Sequence, residues 1–141
     1  MVLRDGDASY ESLDAAPGLE LGRVLTSAAT TGLGGGFARF RTDDALEGWT
    51  LPYDEVFYVL SGELTLHWQD ERLVARPGEV LLIPRGATVT YEGVAGTKAF
   101  FVLHPRDWAS RAGDPGAEEI TGPGENGTSR LEGEGPSKIG G

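Results

Sequence analysis

Few side chains in this sequence can do chemistry, and they concentrate in the run WTLPYDEVFYVLSG, residues 49 to 62. One glutamate, Glu55, stands there between aromatic residues and an alternating apolar stretch that closes on a Ser-Gly turn. A carboxyl group among Trp and Tyr can move protons, or it can join a metal site if histidines are at hand. Only His67 and His104 occur in the whole chain, and there is no cysteine. That removes thiolate metal sites, cysteine nucleophiles and disulfides, and with them any sign of an oxidising compartment. No serine lies in a G-x-S-x-G elbow. Gly34-Gly35-Gly36 lacks the lysine and helix of a phosphate-binding loop, and permits a tight entry to a strand more simply. Lys98 and Lys138 are the only lysines.

The elements that must position Glu55 read as short strands. After an apolar segment with Leu19, Leu21, Val24 and Leu25 come Phe37 to Arg41, EVFYVL at 55 to 60 and ELTLHW at 63 to 68. RLVA at 72 to 75, EVLLI at 79 to 83, TVTY at 88 to 91 and KAFFVL at 98 to 103 complete the series. Turn chemistry separates them at Ser61-Gly62, Gln69-Asp70, Pro77-Gly78, Pro84-Arg85-Gly86, Glu92-Gly93 and Ala95-Gly96. Short strands with a turn about every ten residues predict an all-β, antiparallel sandwich or barrel. A brief helix is expected within 105 to 111, with Trp108 folding back onto the strands.

At 141 residues and 39% apolar content the chain supplies one domain with a core of its own. The expected division is an N-terminal extension over 1 to 18, a barrel over 19 to 111 and a flexible tail over 112 to 141. The tail carries nine glycines and no aromatic residue, too little apolar surface to offset a backbone entropy of about 1–2 kcal/mol per residue. A net charge of −10 repels nucleic acid and anionic lipid surfaces. No apolar run reaches the length of a membrane span and the first residues are polar, so a soluble cytoplasmic protein is expected.

Two frames in the strand region resemble the cupin superfamily, whose members fold as small jelly-roll β-barrels. Glu55 followed by Tyr58-Val59-Leu60-Ser61-Gly62 has the spacing of the first cupin motif, and Gly78 before Pro84-Arg85-Gly86 that of the second. Where cupins place metal-binding histidines, however, this chain has Trp49, Leu51 and Val89. The resemblance thus implies the barrel without its metal, and no cofactor is expected. Trp49-Thr50-Leu51-Pro52-Tyr53-Asp54-Glu55, Gly36-Phe37 and His104-Pro105-Arg106-Asp107-Trp108 are similar more narrowly to the ethanolamine-utilisation EutQ-like cupins, over about residues 34 to 110. That group is linked to ethanolamine catabolism and bacterial microcompartments, and acetate kinase activity is ascribed to its type member.

If Glu55 points inward as its cupin counterpart does, strand alternation turns Leu51, Phe57 and Val59 inward with it, and Val89 and Tyr91 line the opposite wall. Trp49 and Tyr53 share that parity, across a proline. The expected site is an aromatic, apolar cavity with one carboxyl: Glu55, Tyr53 and Tyr91 as proton-transfer groups, with Trp49, Leu51, Phe57 and Val89 around a small-molecule substrate. Burial should raise the Glu55 pKa toward the range in which one group both donates and accepts. Arg39 and Arg41 share a strand face; turned inward they would clamp a carboxylate or phosphate, turned outward they would shield an edge. His67 belongs to a polar face with Glu63, Thr65 and Gln69. The functional expectation is metal-independent acid/base chemistry of the isomerase, cyclase or lyase type. The alternative is a non-catalytic small-molecule-binding or assembly protein of ethanolamine utilisation, or an EutQ-like acetate kinase. A homodimer paired through outer strands is expected from the same resemblance.

Overall fold

The computed structural model describes residues 1–27 and 32–112. Ten strands make up nearly all of it: β1 (Tyr10–Leu13), β2 (Ala16–Leu25), β3 (Gly34–Phe40), β4 (Asp44–Thr50), β5 (Asp54–Ser61), β6 (Leu64–Trp68), β7 (Glu71–Ala75), β8 (Val80–Ile83), β9 (Thr88–Gly93) and β10 (Lys98–His104). One short helix, α1 (Trp108–Ala112), follows. All pairings are antiparallel, in a six-stranded sheet of order β1-β2-β3-β10-β5-β8 and a four-stranded sheet of order β4-β9-β6-β7. The all-β antiparallel sandwich expected from the turn spacing is found, arranged as the jelly roll that the cupin resemblance implies.

Inner faces of the two sheets bury one apolar core that includes Leu21, Leu46, Leu66, Ile83, Phe101 and Leu103. Ile83, Phe101 and Leu103 come from alternating strands whose outward neighbours are exposed or only partly covered. At the β6–β7 hairpin, Gln69 and Asp70 both take positive φ, 55° and 64°, as a two-residue turn matching strand twist requires. Trp108 folds back as expected, its ring centroid 5.7 Å from that of Tyr53.

Two elements differ from the sequence reading. Residues 1 to 18 are not a separate extension: β1 pairs with β2, and β2 already begins at Ala16. Leu13 and Ala16 are buried, so this polar-looking stretch has enough apolar anchors to extend the large sheet. Strand β4 is the second. Its alternation is broken at Gly48 (φ 67°), where the register against β9 shifts between Leu46 and Trp49. The bulge sends residues of opposite parity, Leu46 and Trp49, into the same core. Most of the proposed tail lies outside the described residues.

Candidate functional site

Glu55 enters the core from β5, between Leu103 of β10 and Ile83 of β8. It is 1% exposed. Its Oε1 accepts a hydrogen bond from the Tyr91 hydroxyl at 2.7 Å, reaching across from β9 in the opposite sheet. Oε2 is buried and has no hydrogen-bond partner. A buried polar atom left this way costs about 1–3 kcal/mol, so the arrangement is not what packing alone would select. Burial drives the carboxyl pKa up to about 8, against the smaller lowering effect of the Tyr91 hydrogen bond. At neutral pH the group is mostly the neutral acid.

Both tyrosines are wholly buried beside it. Desolvation, then the charge of Glu55, holds the Tyr53 and Tyr91 hydroxyls well above the ordinary phenol range, so both stay protonated donors. Tyr53 accepts a 3.1 Å hydrogen bond from Trp49 Nε1. The Phe57 ring lies 5.5 Å from Tyr91 and 5.4 Å from Phe101, packing the floor. Leu51 and Val89 are buried in the same core, Val89 directly opposite Trp49 in the β4–β9 register. The structure therefore brings together Glu55, Tyr53, Tyr91, Trp49, Leu51, Phe57 and Val89. It packs them more tightly than a cavity for substrate implies: beside Phe57 and Tyr91 lies a void of about 10 Å³, room for one water.

Arg39 and Arg41 do not join them. Arg39 Nε binds Glu20 at 2.8 Å, its guanidinium lies 3.6 Å from the Tyr10 ring centroid, and Arg41 is 62% exposed with Glu20 at 3.7 Å. The reason is parity: Ala38 and Phe40 take the inner face of β3, so Arg39 between them and Arg41 just after face out. His67 is on the outer surface with Glu92 at 2.7 Å. An inner-face cation does exist at Arg23 of β2, and the sequence reading passed over it. Leu19, Leu21 and Arg23 alternate on the core side, and the Arg23 charge favours the ionised form of Tyr53. That alternation was the available signal.

A cupin fold raises the question of a metal. Trp49, Leu51, Val89 and the neutral phenols of Tyr53 and Tyr91 are buried in the same interior as Glu55, and among the described residues no three His, Cys, Asp or Glu side chains converge. One carboxyl and one or two protonated phenols supply neither the ligand number nor the charge of a transition-metal site, so this donor set does not fit one.

Comparison with known proteins agrees with the fold and places the chain. Residues 12–110 match the family model described as ethanolamine utilisation protein EutQ. The acetate kinase EutQ of Salmonella typhimurium is 31% identical over 87 residues, 62% of this chain and 37% of that protein. The matched part thus spans little more than a third of the length of that relative. The crystal structure of a Salmonella typhimurium ethanolamine utilisation protein superposes with a TM-score of 0.61 at 25% identity, covering 74% of this chain and 84% of the other. An RmlC-like cupin from Shewanella frigidimarina, 14% identical, shares the fold with a TM-score of 0.62 over 73% of this chain and 88% of its own.

Proposed function

This chain belongs to the EutQ family of ethanolamine utilisation proteins, and from that premise we propose that it acts on a small organic molecule by metal-independent acid/base chemistry centred on Glu55. The observation that carries the reading is the divided carboxyl: Tyr91 holds Oε1, while Oε2 is buried with no protein partner. A neutral acid with a pKa near 8 can give its Oε2 proton to a substrate atom and recover one within the same cycle. Tyr91 stabilises the carboxylate in between, and the aromatic lining keeps water from competing. Isomerisation, cyclisation and elimination need no more than this. The reading is that of a homodimer working without a bound metal.

A second reading has one observation in its favour. Glu55 is almost inaccessible, and a ligand must displace part of the packed lining to touch it. A non-catalytic binding or assembly role would tolerate that closure. Acetate kinase activity, which is named for the full-length relatives, would here have to proceed without a phosphate-binding loop, on a chain matching little more than a third of them.

The discriminating experiment is a small-molecule screen on wild type and Glu55→Gln, read first by thermal shift and then by proton NMR for turnover. Acid/base catalysis predicts a ligand that wild type converts and Glu55→Gln binds but does not convert, with rate loss of about 100-fold or more. Equal binding without turnover by both proteins establishes the second reading. Elemental analysis of unchelated protein is expected to give every transition metal far below one equivalent; a stoichiometric metal overturns the metal-independent mechanism. ATP-dependent acetyl phosphate formation from acetate, lost in Glu55→Gln, would replace it with the kinase.

A further inference from the structure

The outer face of the four-stranded sheet carries a polar row from edge to edge. Arg72 of β7 stands opposite His67 of β6, His67 stands opposite Thr90 of β9, and Thr90 Oγ1 accepts the Gly48 amide of β4 at 3.2 Å. Alternation places the row: Leu66, Val89 and Tyr91 take the core side and Leu73 packs against it, so His67, Arg72 and Thr90 turn outward. At the β4 bulge Gly48 supplies no side chain, and nothing lies within 4 Å of where its Cβ would stand. Over this row, between the bulge and the β6–β7 turn, lies a groove of about 390 Å³. Clefts of about 300–1,000 Å³ are the size that holds small ligands, whereas the void beside Phe57 and Tyr91 holds one water.

The walls of the groove hold hydrogen-bonding groups that the fold does not use. Arg39, Arg41, Arg76, Arg85 and Lys98 each hold a carboxylate, but among the described residues Arg72 forms no ion pair. Its neighbour Glu71 pairs opposite Trp68 and therefore starts on the other side of β7, and Asp70 is set in the turn. Gln69 and Asp70, like Arg72, are exposed. On the β9 wall, the Thr90 oxygen accepts from Gly48 and leaves its hydroxyl proton to give, while Thr88 and Thr50 share one hydrogen bond at 2.7 Å. Charges of both signs line the one groove, Arg72 with Asp70 and Glu71. An anion drawn to Arg72 meets the carboxylates and the field of a chain of net charge −10; a cation meets the guanidinium. A neutral ligand with neighbouring hydroxyls suits both, because a hydroxyl donates to a carboxylate and accepts from a guanidinium or an amide.

We propose that this groove is a second small-molecule site, separate from Glu55, and that its ligand is a neutral polyhydroxylated compound, a monosaccharide or cyclic polyol. Asp70 accepts from one pair of hydroxyls, the Arg72 fork donates to the next, and Thr90 donates from the opposite wall. With strands about 4.8 Å apart, the row from Arg72 to Gly48 crosses three spacings, about 14 Å, enough for one sugar ring and its substituents. The groove is open to water, which competes for every one of these hydrogen bonds, so binding is weak and in the millimolar range.

Amide-resolved NMR titration of the full chain tests this. The probes are glucose, galactose, mannose, ribose and myo-inositol, with acetate and methylammonium as charged controls, added to wild type, Arg72→Leu, Asp70→Gly and Glu55→Gln. Arg72→Leu is on an exposed strand face and Asp70→Gly suits the positive φ of its turn, so both variants should fold, which near-ultraviolet circular dichroism establishes first. At least one polyol is expected to give saturable shifts centred on the Gly48, Gln69 and Thr90 amides. Arg72→Leu and Asp70→Gly should each weaken that binding about tenfold, and Glu55→Gln should leave it unchanged. No saturable shift with any polyol at millimolar concentration, shifts centred elsewhere, or equal binding in both groove variants overturns the proposal. Acetate or methylammonium binding at these amides as tightly as the best polyol overturns the ligand class. Loss of polyol binding in Glu55→Gln would place the ligand in the interior and overturn the separate site.

Discussion

At the residue scale, Glu55 links the protein's chemistry to its stability. Its pKa is about 8 in the folded protein against 4.5 when solvated, so between those values the native state holds about one proton more than the unfolded chain. Stability is therefore greatest below about pH 4.5 as far as this group is concerned. It falls as pH rises through the window, by up to about 1.4 kcal/mol per unit, and flattens above the folded pKa. Urea unfolding of wild type across this range is expected to show that slope, and Glu55→Gln, neutral throughout, to lack it; equal slopes would mean that the native carboxyl carries no extra proton. Tyr91→Phe removes the hydrogen bond that lowers the pKa, so its slope should persist to higher pH than in wild type. Glu55 was legible in the sequence because it keeps its place in a motif whose histidines are gone. The closure around it was not, since alternation tells which way a side chain points but not how completely its neighbours fill the space. Arg23 was missed for a different reason: a charged residue between leucines reads as the polar half of an alternation, although Leu19 and Leu21 have its parity.

At the element scale, the turns of the two cupin frames are fixed by different physics, and a pair of alanine substitutions separates them. Gly62, closing the Tyr-Val-Leu-Ser-Gly frame, has φ 75°, and a Cβ there would lie 2.3 Å from Thr97 Oγ1 and 2.5 Å from Thr97 Cα. Thr97 is buried and fixed, donating to the Glu63 carbonyl and accepting from the Glu63 amide. Gly78, which opens the second frame, has φ 90° but open space where its Cβ would be. Gly78→Ala should cost about 1–2 kcal/mol from backbone strain, whereas Gly62→Ala adds about 1–3 kcal/mol of steric conflict. Denaturant midpoints of the two variants check the order; equal losses would show that Thr97 yields freely. The same turns made the strand series readable, because Gly62, Gly78, Gly86 and Gly96 take positive φ between strands, where glycine is favoured. Strand β4 escaped because the Gly48 bulge removes the alternation by which a strand is recognised, and β1 because a short edge strand of mixed polarity has a weak pattern.

At the scale of the whole molecule, the outer face of the six-stranded sheet is the surface that the monomer leaves unsatisfied. Tyr58 and Leu60 of β5 and Val80 and Leu82 of β8 are all exposed, Leu82 to 67%, and they adjoin the half-covered Val56, Phe100 and Phe37. Phe37 and Phe100 form a tilted ring pair 5.4 Å between centroids on that face. Among the described residues strand β8 ends the sheet and pairs only with β5, so its far edge and its apolar outer side are open together there. An apolar face beside a free edge fits the proposed homodimer, which also covers an edge otherwise open to aggregation. Long-range repulsion between two chains of net charge −10 opposes the pairing, so a dimer held by this face should tighten as salt screens that charge. Sedimentation equilibrium is expected to give twice the chain mass for wild type, with dissociation weaker at high salt. Leu82→Lys combined with Val80→Lys, both side chains pointing to solvent in the monomer, should give a folded monomer. Wild type sedimenting as a monomer, or a dimer indifferent to both lysines, would remove this face as the interface. Glu55 lies on the inner side of the same β5 strand whose outer side carries Tyr58, so loss of the dimer without loss of ligand binding would show that each site is complete within one chain.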